Sequence, residues 1–572
     1  MPLSLPPPAA ILLLFLVLLS SFFLGLVFST VKGSDQWLYN RILKNLNERR
    51  WITYKLPDSV VEGSLPYPSL QQWLVSRFPQ SRWDSIGKLL NPLYDVVSGI
   101  LIAFVGWSLF PSLDVEAAGL LTVVSAWIFL WTPGLYPPKG RLNATKARSL
   151  SLLLVLVYLT GIALVTTATV PVLVGGLVSV MAGLLILLSS QFGLQVMVSF
   201  SVLLSLFSFE IFPVAVLAAV FSVAYAVPQL QAWDILPFYL DHKRWYIQNK
   251  DLGTTAGFRN DLRRMLKLPI DLFREPIRSL QFLYERFTPA IAVRSAPALF
   301  ILLGFGLHNG DLPTFPLSLG QPFSYLWAII FASLAVAILT SIHPLTAFGE
   351  AERYLQYSAG ATALLFPSVV MGGAVEAGLT PAVAVLLLSS TLISINRLRP
   401  DVNDLLGLPQ QSPTMKVSRH DVEEISEWFL QRFPSARILC VPLKRGYQFS
   451  DVINGLCGGS HPIDVYYRLY YSGDQGLRYR EDIEGGLMKT SGGWGPHFDI
   501  PSKLPGWLSR HFGITHLVVL KEQREALEKT WGSPLDCSES LKETENFQVY
   551  PCSQRILVSG GAEVGKDETE NL

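Results

Sequence analysis

The sequence predicts an α-helical polytopic membrane protein with about eleven membrane spans and a C-terminal soluble α/β domain. Three observations support this fold class. Half of the 572 residues are hydrophobic and only 16% are charged, and the mean hydropathy is +0.37. Apolar runs of about 20 residues, long enough to cross a bilayer, recur over residues 1–396. Residues 397–572 instead carry 24 acids and 20 bases without any such run, which predicts a separate soluble domain.

The predicted membrane body covers residues 1–396, and the soluble loops 33–91 and 229–289 interrupt it. We interpret its first apolar run as a retained anchor, because no basic region precedes it and no clear cleavage site follows, unlike in a signal peptide. The predicted spans are 9–31, 92–110, 114–132, 150–168, 170–189, 193–209, 210–228, 290–307, 323–342, 354–374 and 379–396.

An acidic residue follows the first span almost at once, in the run Gly33-Ser34-Asp35-Gln36-Trp37. A carboxylate there lies beside the membrane without entering the hydrocarbon, where ionisation is costly. A solvated acid at a helix end is the simplest interpretation, and a base or metal ligand for a lipid-carried substrate is the alternative. Glu62 in the same loop is a second candidate acid, and Asp95, one turn into the second span, is a third. A short helix is predicted over Ser69 to Arg77.

The connection 133–149 carries four bases at a membrane surface, where they either hold a lipid phosphate or meet anionic headgroups. These bases are Lys139, Arg141, Lys146 and Arg148. A second basic site stands at the head of the tenth span, in Glu352-Arg353-Tyr354. The Arg353 guanidinium has the geometry for a bidentate contact with phosphate oxygens, and a local ion pair with a neighbouring acid is the alternative.

The insertion 229–289 holds ten bases and seven acids among apolar residues. Spacings of three and four residues predict amphipathic helices that lie in the plane of the membrane interface. Such a helix either controls a lateral opening to lipid or packs against the membrane body.

The tail begins with a predicted amphipathic helix, Asp421 to Phe433. Strands are predicted at Arg437–Pro442, Ile514–Leu520 and Asn546–Pro551, and helices alternating with such strands favour a small α/β domain. All four cysteines of the chain lie in this tail. They are compatible with disulfides on an oxidising side of the membrane and equally with buried thiols.

Taken together, four features resemble the GT-C superfamily of integral membrane glycosyltransferases, which use polyprenyl- or dolichyl-phosphate sugars. They are the acid after the first span, the aromatic first loop with its Glu62–Pro68 stretch, the Glu352-Arg353-Tyr354 element and the α/β tail. The resemblance covers roughly residues 1–400, and the tail is similar only in kind. It implies transfer of a sugar from a polyprenyl-phosphate-linked donor to a hydroxyl of a glycan, lipid or protein acceptor.

The resemblance also implies roles for individual residues. Asp35 becomes the catalytic base or a metal ligand, and Glu62 assists it. Arg353 and Tyr354 contact the lipid-linked phosphate, with Arg141 or Lys146 beside them. A divalent cation such as Mg²⁺ or Mn²⁺ is the implied cofactor. However, Gln36 stands where the family has a second acid, and one carboxylate with one amide binds such an ion less well.

Two other functions compete with a glycosyltransferase: a transporter or flippase of lipid-linked sugars, and a non-catalytic assembly protein of a glycan pathway. A transporter favours charges deep in the spans, and almost none occur there. A net charge of +1 gives no global basic surface for nucleic acid. The family resemblance places the soluble domain on the non-cytoplasmic side, whereas the positive-inside rule alone favours the reverse orientation.

Overall fold

The structure, a computed structural model, separates into two compact units. One contains a helical bundle and the other a small C-terminal sheet. The residues that the structure describes are 7–28, 42–43, 46, 68–109, 115–131, 147–248, 262–277, 279, 296–314, 316–342, 345–349, 351–371, 381, 385, 388, 419–433, 436, 438–441, 515–521, 524 and 540–551. The predicted domain boundary at residue 396 remains a prediction.

The helical bundle confirms a polytopic membrane protein. Within the described residues, six helices are long and apolar enough to cross a membrane, and a bent helix pair is a seventh candidate. In chain order the helices are α1 Pro8–Phe28, α2 Leu70–Ser76, α3 Trp83–Leu109, α4 Val115–Trp131, α5 Arg148–Thr166, α6 Val172–Ser189, α7 Gln191–Ser208, α8 Phe212–Ala226, α9 Ala232–Gln248, α10 Leu262–Arg274, α11 Pro297–Asn309, α12 Pro322–Leu339, α13 Glu352–Leu355 and α14 Ala359–Phe366. The apolar α4 and α11 are shorter, and the eleventh predicted span, 379–396, lies almost entirely outside the described residues.

Small residues let the membrane helices approach closely, as is usual where lipid gives no hydrophobic driving force. A Cβ on Gly161 of α5 would meet the Gly175 carbonyl oxygen of α6 at 2.9 Å. Beside this contact, the Ser179 hydroxyl donates to the Tyr158 carbonyl oxygen at 3.0 Å. Tyr325 of α12 in turn donates to the Leu159 carbonyl oxygen at 2.6 Å. These buried hydrogen bonds fix α6 and α12 against α5.

Among its described residues, the second unit includes the helix α15 Arg419–Arg432 and a four-stranded mixed sheet. The strands are β1 Ile438–Val441, β2 His516–Leu520, β3 Lys542–Glu543 and β4 Phe547–Pro551, in the order β1-β2-β4-β3. β1 and β2 are parallel, whereas β4 runs antiparallel to β2 and β3. Ile425 and Phe429 of α15 pack against Val518 and other strand residues in a buried core.

Candidate functional site

The bundle has one end at which several predicted elements meet. Gly25 of α1 faces Pro92 of α3, and Gly99 faces Leu18, so these two helices are antiparallel. Gly119, near the start of α4, lies beside Ala10, so α4 runs parallel to α1 and ends where α1 ends. The connection 132–147 is polar and has too few residues for a membrane-spanning helix, and a non-helical segment would leave its backbone groups unsatisfied in lipid. We therefore infer that α5 begins at this same end. We call it the α1-exit end.

Two more elements reach the α1-exit end. Short turns connect α5, α6 and α7, so α7 begins beside the start of α5. The segment after α12 returns there as well, because the Tyr354 hydroxyl lies 2.7 Å from Gln195 Oε1, in the second turn of α7. The same hydroxyl lies 3.0 Å from the Phe348 carbonyl oxygen. With Ser333 donating to the Tyr354 carbonyl oxygen at 3.0 Å, Tyr354 joins α7, α12 and α13.

Arg353 is held on an aromatic ring of α7. Its Cζ atom lies 4.9 Å from the Phe192 ring centroid, within the range of a cation–π interaction. The same ring lies 5.9 Å from the Tyr354 ring. Gly349 shapes this contact, because its φ of +114° and the nearness of Phe192 Cζ, 2.6 Å from an added Cβ, both exclude a side chain. Arg353 therefore packs against this ring, and its Nε atom is buried.

A second guanidinium approaches the same place. The Tyr357 hydroxyl lies 3.1 Å from the Ser151 hydroxyl in the first turn of α5. The charges of Arg148 and Arg353 both act on this buried phenol. Arg148, the first residue of α5, and Arg353 therefore both lie within electrostatic range of the Tyr357 hydroxyl.

The backbone adds to the positive potential of this place. Helix α7 begins at Gln191, where the Ser190 hydroxyl accepts a hydrogen bond from the Gly193 amide at 3.2 Å. A helix N-terminus carries a partial positive charge and is suited to anions. The Gln191 Nε2 atom is buried and, among the described residues, donates to no acceptor. Two guanidiniums, a helix N-terminus and an unused amide donor together form a candidate anion site, which we call the Arg148–Arg353 site.

The structure describes only two of the six predicted site residues. Arg353 and Tyr354 lie in the Arg148–Arg353 site, and their role as phosphate contacts remains a prediction. Asp35, Glu62, Arg141 and Lys146 lie outside the described residues, and their roles remain predictions. In the part of the chain that the structure describes, no three His, Cys, Asp or Glu residues converge to hold a metal. Asp35 and Glu62, the predicted ligands of a divalent cation, lie outside that part.

Sequence reasoning missed several residues of this site. Arg148 counted as only one of four bases, although its place at the first helical residue distinguishes it from the other three. Phe192, Gln195 and Tyr357 gave no signal in a single sequence, since aromatic and amide residues at membrane helix ends are common. Only the packing of α5 and α7 against the Tyr354 segment shows that they belong together.

No protein-family model matches the chain, and no curated protein is significantly similar in sequence. Solved structures are similar in fold. The oligosaccharyltransferase of Archaeoglobus fulgidus, in complex with Zn and sulfate, is 13% identical with a TM-score of 0.50, over 89% of this chain and 68% of that chain. The same organism's oligosaccharyltransferase AglB, with an inhibitory peptide and a dolichol-phosphate, is 12% identical with a TM-score of 0.49, over 89% and 69%.

A third structure is ArnT from Cupriavidus metallidurans bound to undecaprenyl phosphate. It is 13% identical with a TM-score of 0.41, over 97% of this chain and 99% of that chain. At such low identity these similarities concern the fold. The chain is an integral multi-pass membrane protein whose fold is similar to that of the Archaeoglobus fulgidus oligosaccharyltransferase. This confirms the predicted helical membrane body, whereas the count of eleven spans remains a prediction.

Proposed function

We propose that the protein is a membrane glycosyltransferase that moves a sugar from a polyprenyl-phosphate-linked donor to a hydroxyl acceptor at the membrane surface. The observation that carries this proposal is the Arg148–Arg353 site, an anion site at the bundle end where α1 leaves the membrane toward Asp35. A lipid-linked donor presents its phosphate at that depth. Its chain remains in the bilayer, which explains why such an enzyme needs a membrane body.

The proposed transfer is a single displacement at the anomeric carbon. The acceptor hydroxyl oxygen attacks that carbon, and the bond from the carbon to the phosphate oxygen breaks. Asp35 takes the hydroxyl proton as a general base, with Glu62 as the second acid of the site. The departing lipid phosphate keeps the bonding electron pair, and its negative charge is stabilised by Arg353 and Arg148.

The remaining predicted residues position these groups. Tyr354 holds the segment that carries Arg353, through its contacts with Gln195 and the Phe348 carbonyl oxygen. Arg141 and Lys146 add positive charge from the connection before α5. If Asp35 and Glu62 bind a divalent cation, that ion supplies further charge stabilisation for the phosphate. The transferred sugar is a hexose or a pentose, and the transfer assay distinguishes the two by the donor that is used.

The test is sugar transfer by the purified full chain in liposomes, with radiolabelled polyprenyl-phosphate sugars as donors. Asp35→Asn is expected to lower kcat by about 10²–10⁴-fold, the usual contribution of a general base. Arg353→Gln and Arg148→Gln are expected to lower kcat/KM for the donor by about tenfold or more each, since each removes a charged phosphate contact. The dependence on Mg²⁺ or Mn²⁺ is measured in the same assay.

Arg524→Gln is the matched control. Its guanidinium also lies over an aromatic ring, 5.9 Å from the Tyr550 centroid, but in the soluble sheet unit. Donor kinetics like those of the unmodified chain are expected. Arginine variants with unchanged donor kinetics would remove the anion site from the mechanism. If intact lipid-linked sugar crosses the liposome membrane and no sugar is transferred, the protein is a flippase and not a glycosyltransferase.

A further inference from the structure

The chain changes direction sharply after α8, away from the axis of that helix. Helix α8 and the helical segment Pro228–Pro237 meet at 98°, so a spanning α8 places the start of α9 in the plane of the membrane interface. The corner is fixed by Trp233, whose ring centroid lies 4.3 Å from that of Tyr225. Trp233 Nε1 also donates to the Tyr225 carbonyl oxygen at 3.3 Å. Such an exposed tryptophan is typical of the membrane–water interface.

The same insertion contains a strongly amphipathic helix, α10. One side packs on the protein, since Leu268 and Ser279 are 8% and 5% exposed. The opposite side carries exposed apolar residues: Phe273 is 94%, Ile277 83% and Ile270 56% exposed. Helical hydrogen bonds continue past α10, from the Ser279 amide to the Glu275 carbonyl oxygen at 2.9 Å. The three apolar residues therefore fall on one stripe about 60° wide, at roughly 100° per residue.

Charged residues are sorted around this stripe. At the same helical pitch, the exposed Lys267 and Arg274 lie roughly 40–60° from Ile270, next to the apolar stripe. Asp271 and Glu275 lie further round, at roughly 100–140°. Over Leu262–Arg274 the sequence has four bases and one acid. Basic side chains beside an inserted apolar stripe reach up to the phosphate level, while the stripe remains among acyl chains.

We propose that the outward face of α10 is a docking surface for the anionic phospholipids of the protein's own bilayer. Phe273, Ile277 and Ile270 insert below the headgroups, and Lys267 and Arg274 pair with phospholipid phosphates. The bilayer is the occupant that this face fits, because its apolar stripe and its bases match the two layers of a membrane interface in depth. This surface is separate from the Arg148–Arg353 site and does not depend on the proposed sugar transfer.

Hydrogen exchange of the amides of residues 262–279 tests this surface. The full chain is placed, one copy per nanodisc, in phosphatidylcholine alone or with one-third phosphatidylglycerol. Exchange is expected to be slower in the anionic nanodiscs. Each base near an anionic surface contributes about fivefold to binding, so Lys267→Gln/Arg274→Gln is expected to remove up to about 25-fold of that added protection.

Two further variants test the contacts with the acyl chains and with the headgroups separately. Phe273→Ser is expected to speed exchange in both lipids, because the apolar stripe inserts whatever the headgroup. Asp271→Asn/Glu275→Gln, the matched control on the acidic flank, is expected to keep the anionic-lipid effect or increase it. Equal exchange of the unmodified chain in both lipids would overturn the proposal. So would protection that appears only when two copies share a nanodisc, because that result assigns the face to a second copy.

Discussion

Gly349 packs against Phe192, the ring on which Arg353 rests. Three glycine-to-alanine variants measure how much this packing contributes to stability and to donor binding. A Cβ at Gly349 would lie 2.6 Å from Phe192 Cζ, whereas ordinary van der Waals contact begins at 3.4 Å. The ring must therefore retreat by about 0.8 Å, the difference between these distances. Since Arg353 rests on that ring, Gly349→Ala is expected to displace the guanidinium as well.

The cost divides into two parts. An alanine at a φ of +114° costs about 1–3 kcal/mol of backbone strain. The overpacking against Phe192 costs about 1–3 kcal/mol more. Gly310 isolates the first part, because its φ is +73° but an added Cβ meets nothing within 4 Å. Gly176, inside α6, has neither a positive φ nor a contact for the new Cβ, so alanine there stabilises by about 0.5–1 kcal/mol.

The apparent Tm of the purified chain in detergent is therefore expected to fall in the order Gly176→Ala, unmodified chain, Gly310→Ala, Gly349→Ala. In the liposome transfer assay, only Gly349→Ala is expected to raise the donor KM, because only that variant moves Arg353. If Gly349→Ala matches Gly310→Ala in both Tm and donor KM, the reasoning is refuted. Phe192 would then tolerate the new methyl group, and the ring would not fix the position of Arg353.

Three other predictions concern single groups. Tyr354→Phe keeps the ring but removes the hydroxyl that donates to Gln195 Oε1. The chain is therefore expected to lose about 1–3 kcal/mol of stability, measured by Tm, and to bind the sugar donor less well, measured by its KM. Asp421→Asn weakens the acceptor of two hydrogen bonds from Asn546, at 2.8 and 2.6 Å, and is expected to speed hydrogen exchange in β4, with Tm of the bundle unchanged. Burial lowers the pKa of His516 below 6.5, so the unfolded chain binds the proton more readily than the folded chain. The stability of the sheet is therefore expected to fall as pH drops below 6.5 and to level off below the folded-state pKa. His516→Gln should remove this pH dependence of exchange in β2.

The fold follows from the sequence wherever one signal dominates. Long apolar runs predict the six helices that are long enough to span, because burial in a bilayer requires such runs. The predicted helix Ser69–Arg77 is observed as Leu70–Ser76, and the strand predicted at Ile514–Leu520 is β2. The two-residue strand β3 was not predicted, because it pairs only through Lys542 and Glu543 and such a short segment carries no alternating pattern.

The candidate site follows from the sequence only in part. The element Glu352-Arg353-Tyr354 was found because charged residues at the head of an apolar helix are conspicuous. Its partners on α5 and α7 are about 160–200 residues away in the sequence, and no local pattern records such a contact. A helix end that packs against a distant segment has the same kind of sequence as a helix end that faces water, so the sequence gives no signal for the contact.

The packing also changes how the basic residues bear on membrane orientation. The positive-inside rule counts bases in loops that are free to stay with the cytoplasmic leaflet. Arg353 is instead packed on Phe192, and Arg148 begins a spanning helix and acts on a buried tyrosine. Under the proposed function, the binding of a lipid phosphate, rather than a topological signal, accounts for the location of these two charges. On that proposal, the rule has less force against a non-cytoplasmic soluble domain, because two of the bases that it counts belong to a phosphate site.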